Sequence, residues 1–165
     1  MSPISIAPDA LVARHARAGR SLVAILHAIQ DDAGYVPPGC VAPLAQALNL
    51  SRAEVHGVLT YYHHFRSAPP APVTIQMCRA EDCRSMGGEA LAAHAQARTG
   101  CTFDAGHDAA HGDAPGLVAL ESVYCLGLCA QSPSLTVNGV LHAKVTPQQF
   151  DALLDDAVAR AQETP

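Results

Sequence analysis

The chain has 165 residues, 49% of them apolar and only 15% charged, enough for one ordinary domain or two small ones. Soluble domains usually carry about 25% charged residues, so much of this surface is uncharged, as in a subunit whose faces are covered. The net charge of −5 falls mainly on residues 67–165 and argues against nucleic acid as a partner; no stretch approaches the ~20 apolar residues of a membrane span.

Leu22, Ile25, Leu26 and Ile29 recur at i, i+3, i+4 and i+7, one face of an amphipathic helix that Gly34 ends. Pro37-Pro38 opens a second helix carrying Val41, Leu44 and Leu48 and ending near Asn49. A third begins at Ser51, where Ser51-Arg-Ala-Glu54 has capping-box form, and shows Val55, Val58, Leu59 and Tyr62 on one face before His63-His64 at its end. Residues 1–66 therefore read as a small helical bundle, and Ser67-Ala-Pro-Pro-Ala-Pro72 (67–72) as a stiff linker.

In 73–165 the period changes. Val73, Ile75 and Met77 alternate as in a strand that runs into Cys78. A helix follows, with Met86, Ala90, Ala93 and Ala97 as its apolar side, then a short strand at Thr102-Phe103 and a polar loop over 104–116. Leu117–Leu120 leads toward Val123 and Cys125, and Asn138-Gly139 is a hairpin turn between Leu135–Val137 and Val140–Val145. Thr146-Pro147 starts a last helix with Phe150, Leu153, Leu154, Ala157 and Ala161 on one face. The expected class is α+β: an N-terminal helical bundle followed by a β-α-β-β-β-α domain.

The start Met-Ser-Pro-Ile-Ser-Ile-Ala lacks the basic region and apolar core of a secretory signal, so the expected location is cytoplasmic. In that reducing setting the six cysteines are better read as metal ligands or redox groups than as structural disulfides. Four of them form two tight pairs, Cys78-Arg-Ala-Glu-Asp-Cys83 and Cys125-Leu-Gly-Leu-Cys129, separated by 41 residues. Each pair follows a predicted strand, and Gly127 eases a tight turn. Four thiolates hold either one tetrahedral Zn²⁺ or an iron–sulfur cluster. Structural zinc favours C-x₂-C, and the longer C-x₄-C and C-x₃-C spacings tilt toward a [2Fe–2S] cluster. A zinc-stabilised interaction module without redox function is the alternative. Dithiol chemistry of the C-x-x-C type fits neither spacing.

These pairs, with Gly127 inside the second loop and Ser132-Pro133 after it, resemble the thioredoxin-like [2Fe–2S] ferredoxins. Leu26-His-Ala-Ile-Gln30, Gly34-Tyr-Val-Pro37, Val55-His-Gly-Val58 and Thr60-Tyr-Tyr62 resemble the helical region of the small iron–sulfur subunit in complex I NADH dehydrogenase modules. Cys78-Arg-Ala-Glu81 and Cys125-Leu-Gly-Leu-Cys-Ala-Gln-Ser-Pro133 look most like the gamma subunits of NAD-dependent, molybdenum-containing formate dehydrogenases. Two departures are Tyr61, where many relatives carry Phe, and Ser132, where complex I relatives usually carry Ala. The resemblance implies a thioredoxin-like fold for the second domain and one [2Fe–2S] cluster on Cys78, Cys83, Cys125 and Cys129. It also implies a non-catalytic electron-transfer role beside a partner subunit that binds FMN and NAD, with a molybdenum-containing catalytic subunit in the formate-oxidising case. The chain has no G-x-G-x-x-G of its own.

Other residues read more plainly. Cys40 and Cys101 are expected to be packing thiols. His107 and His111, near Asp104, Asp108 and Asp113, have helical zinc spacing, but the flanking glycines favour a loop. His63-His64 suits a solvated or docking surface, and Tyr35, Tyr61 and Tyr62 a core or an interface. Arg79 is either a solvated charge or a group that tunes the cluster.

Overall fold

In the computed structural model, which describes residues 7–105 and 116–163, the chain divides into two units, Met1–Pro70 and Ala71–Pro165. The first is helical: α1 (Pro8–His15), α2 (Leu22–Ala33), α3 (Val41–Leu48) after a 3₁₀ turn at Pro38–Cys40, and α4 (Arg52–Tyr61). The α2 N-terminus is capped by Ser21 Oγ, which accepts from Ala24 N–H at 3.3 Å. Its C-terminus closes on Gly34 at φ 82°, and Asn49 at φ 52° ends α3. The Ser51 capping box is complete: Ser51 Oγ accepts from Glu54 N–H at 3.1 Å and Glu54 Oε2 accepts from Ser51 N–H at 2.8 Å. Ile25, Leu26, Ile29, Leu44 and Val55 are fully buried together.

Two expectations differ here. The sequence predicts a first helix with Leu22, Ile25, Leu26 and Ile29 on one face and Gly34 at its end, which α2 matches, but the structure adds an earlier helix, α1, that begins with Pro8 in its first turn. It also predicts Tyr62 on the buried face of the third helix and His63-His64 at its end, whereas α4 stops at Tyr61. At Tyr62 the backbone turns extended (φ −90°, ψ 103°), leaving Tyr61 and Tyr62 exposed and burying Phe65 instead. The returning chain is held by Gln30, whose Nε2 donates to His64 C=O and whose Oε1 accepts from Arg66 N–H, both at 2.8 Å. A buried amide satisfied on both ends fixes this corner.

The second unit carries a four-stranded sheet, β1 (Val73–Cys78), β2 (Val118–Val123), β3 (Leu135–Val137) and β4 (Val140–His142), in the order β2-β1-β3-β4. β1 and β2 are parallel and the other pairs antiparallel. The crossover from β1 to β2 passes through the single turn α5 (Glu81–Cys83) and α6 (Glu89–Thr99), and α7 (Pro147–Glu163) closes the chain. The core is Ile75, Met77, Leu91, Leu135, Phe150 and Leu154. Thr146 and Gln149 form a capping box for α7, with bonds of 3.3 and 2.9 Å, and its predicted apolar face packs on this core.

Asn138 and Gly139 take φ 48° and 82°, the double positive that the two-residue hairpin turn requires. Asn138 also accepts from Thr74 N–H at 2.8 Å and donates to Pro72 C=O at 3.1 Å. The second hairpin strand ends at His142, short of the expected Val145. The chain leaves the sheet there, as Lys144 N–H donates to Gln131 C=O and Val145 N–H to Pro133 C=O at 2.9 and 3.0 Å. The expected strand at Thr102-Phe103 is a single bridge from Phe103 to Leu120.

The apolar face assigned to the crossover helix is wrong. Met86, Ala90, Ala93 and Ala97 are exposed, and Leu91, Ala92 and Ala95 are buried. Met86 (φ −95°, ψ 23°) and Gly87 (φ 89°) break the helix, so a period carried through them loses phase with α6. Of the proposed loop over 104–116, residues 106–115 lie outside the described residues, as do His107, His111, Asp108 and Asp113.

Candidate metal centre

Both cysteine loops leave the same end of the sheet because β1 and β2 are parallel neighbours. Cys78 N–H donates to Ser134 C=O at 3.1 Å, and Arg79 N–H donates to Val123 C=O at 2.8 Å. The first loop thus starts pinned between the end of β2 and the residue preceding β3. It turns through α5 and delivers Cys83 inward. Cys78 and Cys83 are both buried. Gly88 makes this possible: a Cβ there would meet the Cys83 carbonyl oxygen at 2.5 Å.

The second loop is open. Cys125 has φ 92° and Gly127 φ 77°, and a non-glycine residue in that region carries strain on the order of 1–3 kcal/mol, of a kind that gathers at functional sites. The curl brings Gly127 N–H to 3.4 Å from Cys125 Sγ, and Cys125 Sγ to 3.7 Å from Cys129 Sγ. Both thiols are exposed.

The pairs differ in how they hold a proton. Burial raises the Cys83 thiol, but hydrogen bonds from Ser132, Ser134, Cys78 and the Ser134 backbone outweigh it, and the net shift is downward. Cys129 is pushed up to about 12 by its hydrogen bond with Asp82, then by Cys125. Ser132 and Ser134, at 3.3 and 3.6 Å from Cys83 Sγ, are the groups that cysteine spacing does not single out as sulfur partners. The Ser-x-Ser pattern after the second cysteine pair is their only signal in the sequence.

Arg79 is not a solvated charge. Its Nε and Nη2 donate to the two oxygens of Glu89 at 3.1 and 2.8 Å, and its guanidinium lies 4.9 Å over the Phe103 ring. It ties the first loop to the start of α6, with its charge matched by a carboxylate. Asp104 is also occupied, since its side chain accepts from Ser122 N–H at 2.7 Å.

Cys40 is fully buried, with its thiol pushed up to about 11 by burial and then by Asp9. Cys101 Sγ donates to Val118 C=O at 3.3 Å. Neither belongs to the paired thiols. The four thiols stand as two pairs, and among the described residues no group of three or more His, Cys, Asp or Glu converges as a single-ion cage. Sulfur donors in two pairs, with amide and hydroxyl donors beside them, fit a [2Fe–2S] cluster.

A family model described as thioredoxin-like [2Fe-2S] ferredoxin matches residues 9–158. The chain belongs to this family. Its cofactor decides between a cluster and zinc in favour of the cluster. An NADH-quinone oxidoreductase subunit of Mycobacterium tuberculosis is 26% identical over 174 residues, spanning 99% of this chain and 67% of the relative. Another, from Rhizobium meliloti, is 26% identical over 156 residues, 94% of this chain and 89% of the relative. Among solved structures, air-oxidised NAD⁺-reducing [NiFe]-hydrogenase matches with a TM-score of 0.67 at 23% identity. That match covers 87% of this chain but only 24% of the hydrogenase chain, and it bears out the α+β, thioredoxin-like fold. Among the described residues no helix is long and apolar enough to cross a membrane.

Proposed function

We propose that this chain is a non-catalytic electron-transfer subunit of a soluble, cytoplasmic NAD-linked oxidoreductase complex, holding one [2Fe–2S] cluster through Cys78, Cys83, Cys125 and Cys129. The observation that carries this is the pair of thiol pairs at adjacent strand ends in a chain of this family. When bound, such a cluster supplies one-electron transfer and, with four protein ligands, no open position for substrate.

The residues divide the work. Buried Cys78 and Cys83 hold the inner side away from water, while exposed Cys125 and Cys129 leave the outer side at the surface, where an electron has the shortest path to a partner. Tyr124, 78% exposed beside Cys125, adds an apolar rim suited to docking. The partner in this reading binds flavin, as FMN, and NAD. The quinone-reductase relatives and the hydrogenase neighbour carry names of NADH- and NAD⁺-linked enzymes, which supports that class. Within it, Cys78-Arg-Ala-Glu81 and the run from Cys125 to Pro133 favour the gamma subunit of a formate dehydrogenase, with a molybdenum-containing subunit in the same complex.

The test is iron, acid-labile sulfide and zinc in full-length protein purified without oxygen. Two irons and two sulfides per chain without zinc are expected; one zinc without sulfide overturns the reading. In the complex isolated through a tag on this chain, formate should bleach the cluster's visible absorption. Bleaching by NADH but not by formate keeps the electron-transfer role and removes the formate assignment.

A further inference from the structure

Ser134 lies just before β3, is 1% exposed, and places its Oγ 3.6 Å from Cys83 Sγ. Among the described residues that sulfur is the only hydrogen-bond partner of its hydroxyl. Ser132 Oγ is nearer to Cys83, at 3.3 Å, but it also donates to Cys129 C=O at 2.9 Å. One hydroxyl carries one proton, so the Ser132 proton has a strong carbonyl acceptor while the Ser134 proton has none but the sulfur.

A free Cys83 thiol can donate to a serine oxygen or accept from it. A metal-bound thiolate has lost its proton and only accepts. With Cys83 as a ligand, the buried Ser134 hydroxyl therefore has one satisfied orientation, pointing its proton at the sulfur. Leaving it unpaired in this dry position is unfavourable.

We propose that Ser134 is a positioning residue that acts through Cys83 to raise the reduction potential of this chain's cluster. The proposal rests on the reading of Cys83 as a cluster ligand. Adding one electron makes the metal–sulfur group more negative, and a donor aimed at a ligand sulfur favours the more negative state. Arg79 is poorly placed for this, because its guanidinium is turned to Glu89, which accepts from its Nε and Nη2. Ser134 offers a hydroxyl with no competing acceptor, 51 positions from its target in sequence and adjacent to it in space.

The experiment is a potentiometric titration, followed by electron paramagnetic resonance, of the loaded full-length chain and its Ser134→Ala variant. The expected result is wild-type iron and sulfide content with about a tenfold lower ratio of reduced to oxidised cluster at a fixed potential. For a one-electron couple that is a midpoint about 59 mV more negative. Ser134→Thr, which keeps the hydroxyl, should restore the ratio. A loaded Ser134→Ala protein with an unchanged midpoint overturns the proposal. Should Ser134→Ala fail to load, resonance Raman of the wild-type protein in D₂O decides: an isotope-sensitive Fe–S(Cys) stretch is expected, and a stretch indifferent to D₂O overturns it. Wild-type protein without iron and sulfide refutes the ligand reading itself, which is a separate failure from an unchanged midpoint.

Discussion

The two cysteine loops leave neighbouring strands in the same direction, yet they are built in opposite ways. The first is interior: Cys78 and Cys83 are 2% and 1% exposed, the loop is one helical turn, and Arg79 clamps it to Glu89 through two hydrogen bonds. The second is a surface curl in which Cys125 sits at φ 92° and both thiols face outward. On the proposed ligand set, the difference gives a small domain a centre that is anchored and reachable at once. Core packing fixes one pair of thiols, whereas the other sits on an exposed loop shaped by positive-φ backbone and by the Ser132 hydroxyl on Cys129 C=O.

The largest expected effect tests whether the loops form one centre. Cys83→Ser in the interior loop and Cys129→Ser in the open one should each lose or alter the cluster, whereas Cys40→Ser should retain wild-type iron and sulfide. Cys40 is a fully buried thiol in the helical unit, and Ser there costs packing and not ligation. Metal and sulfide analysis of the three variants checks this. Loss confined to Cys40→Ser would break the assignment.

Next in size is the contrast between two glycines. In Gly88→Ala the new methyl group meets the Cys83 carbonyl oxygen at 2.5 Å, which backbone must relieve. Overpacking of this kind costs about 1–3 kcal/mol and should lower cluster content by displacing Cys83. Gly127→Ala meets nothing within 4 Å, so its cost is the positive φ of 77° alone, about 1 kcal/mol. Denaturant midpoints and iron content of both variants check the ranking. A larger loss in Gly127→Ala would mean that the open loop, not the interior one, is the rigid half.

The sequence shows the elements well and their phase less well. Ser51-x-x-Glu54, Asn138-Gly139 and Thr146-Pro147 each encode a local hydrogen-bond pattern or dihedral pair, so the structure repeats them. The failures arise where a period is carried across a break or where distant groups decide. Gly87-Gly88 is a local break signal, but an apolar period carried across it from Met86 to Ala90 hides the change of phase that the positive φ of Gly87 produces. Nothing local ends the second hairpin strand at His142, because Lys144 and Val145 are drawn away by Gln131 and Pro133. At the centre, the spacing of the cysteines is visible in one dimension. The Ser132 and Ser134 hydroxyls beside Cys83 come from about 50 residues downstream and belong to the fold.

The smallest expected effect concerns the clamp on the interior loop. The Glu89 carboxyl lies below the usual carboxylate range because Arg79 hydrogen-bonds to it, against an opposing effect of burial and with the Arg79 and Arg84 charges assisting. A carboxyl whose folded pKa is depressed contributes stability that is fully present above its unfolded value, about 4.3 for Glu. That contribution is lost as pH falls through the lower folded value. Solvent screens the pair, so the effect is small, and its pH dependence identifies it better than its size. Wild type should therefore lose more thermal stability than Glu89→Gln as pH falls through and below about 4.3, because only the wild type has this proton to take up. Both should respond alike to pH well above that value, where Glu89 is ionised in both folded and unfolded chains. Parallel curves throughout would show that the clamp does not hold in solution, and the interior loop would then owe its order to the burial of Cys78 and Cys83 alone.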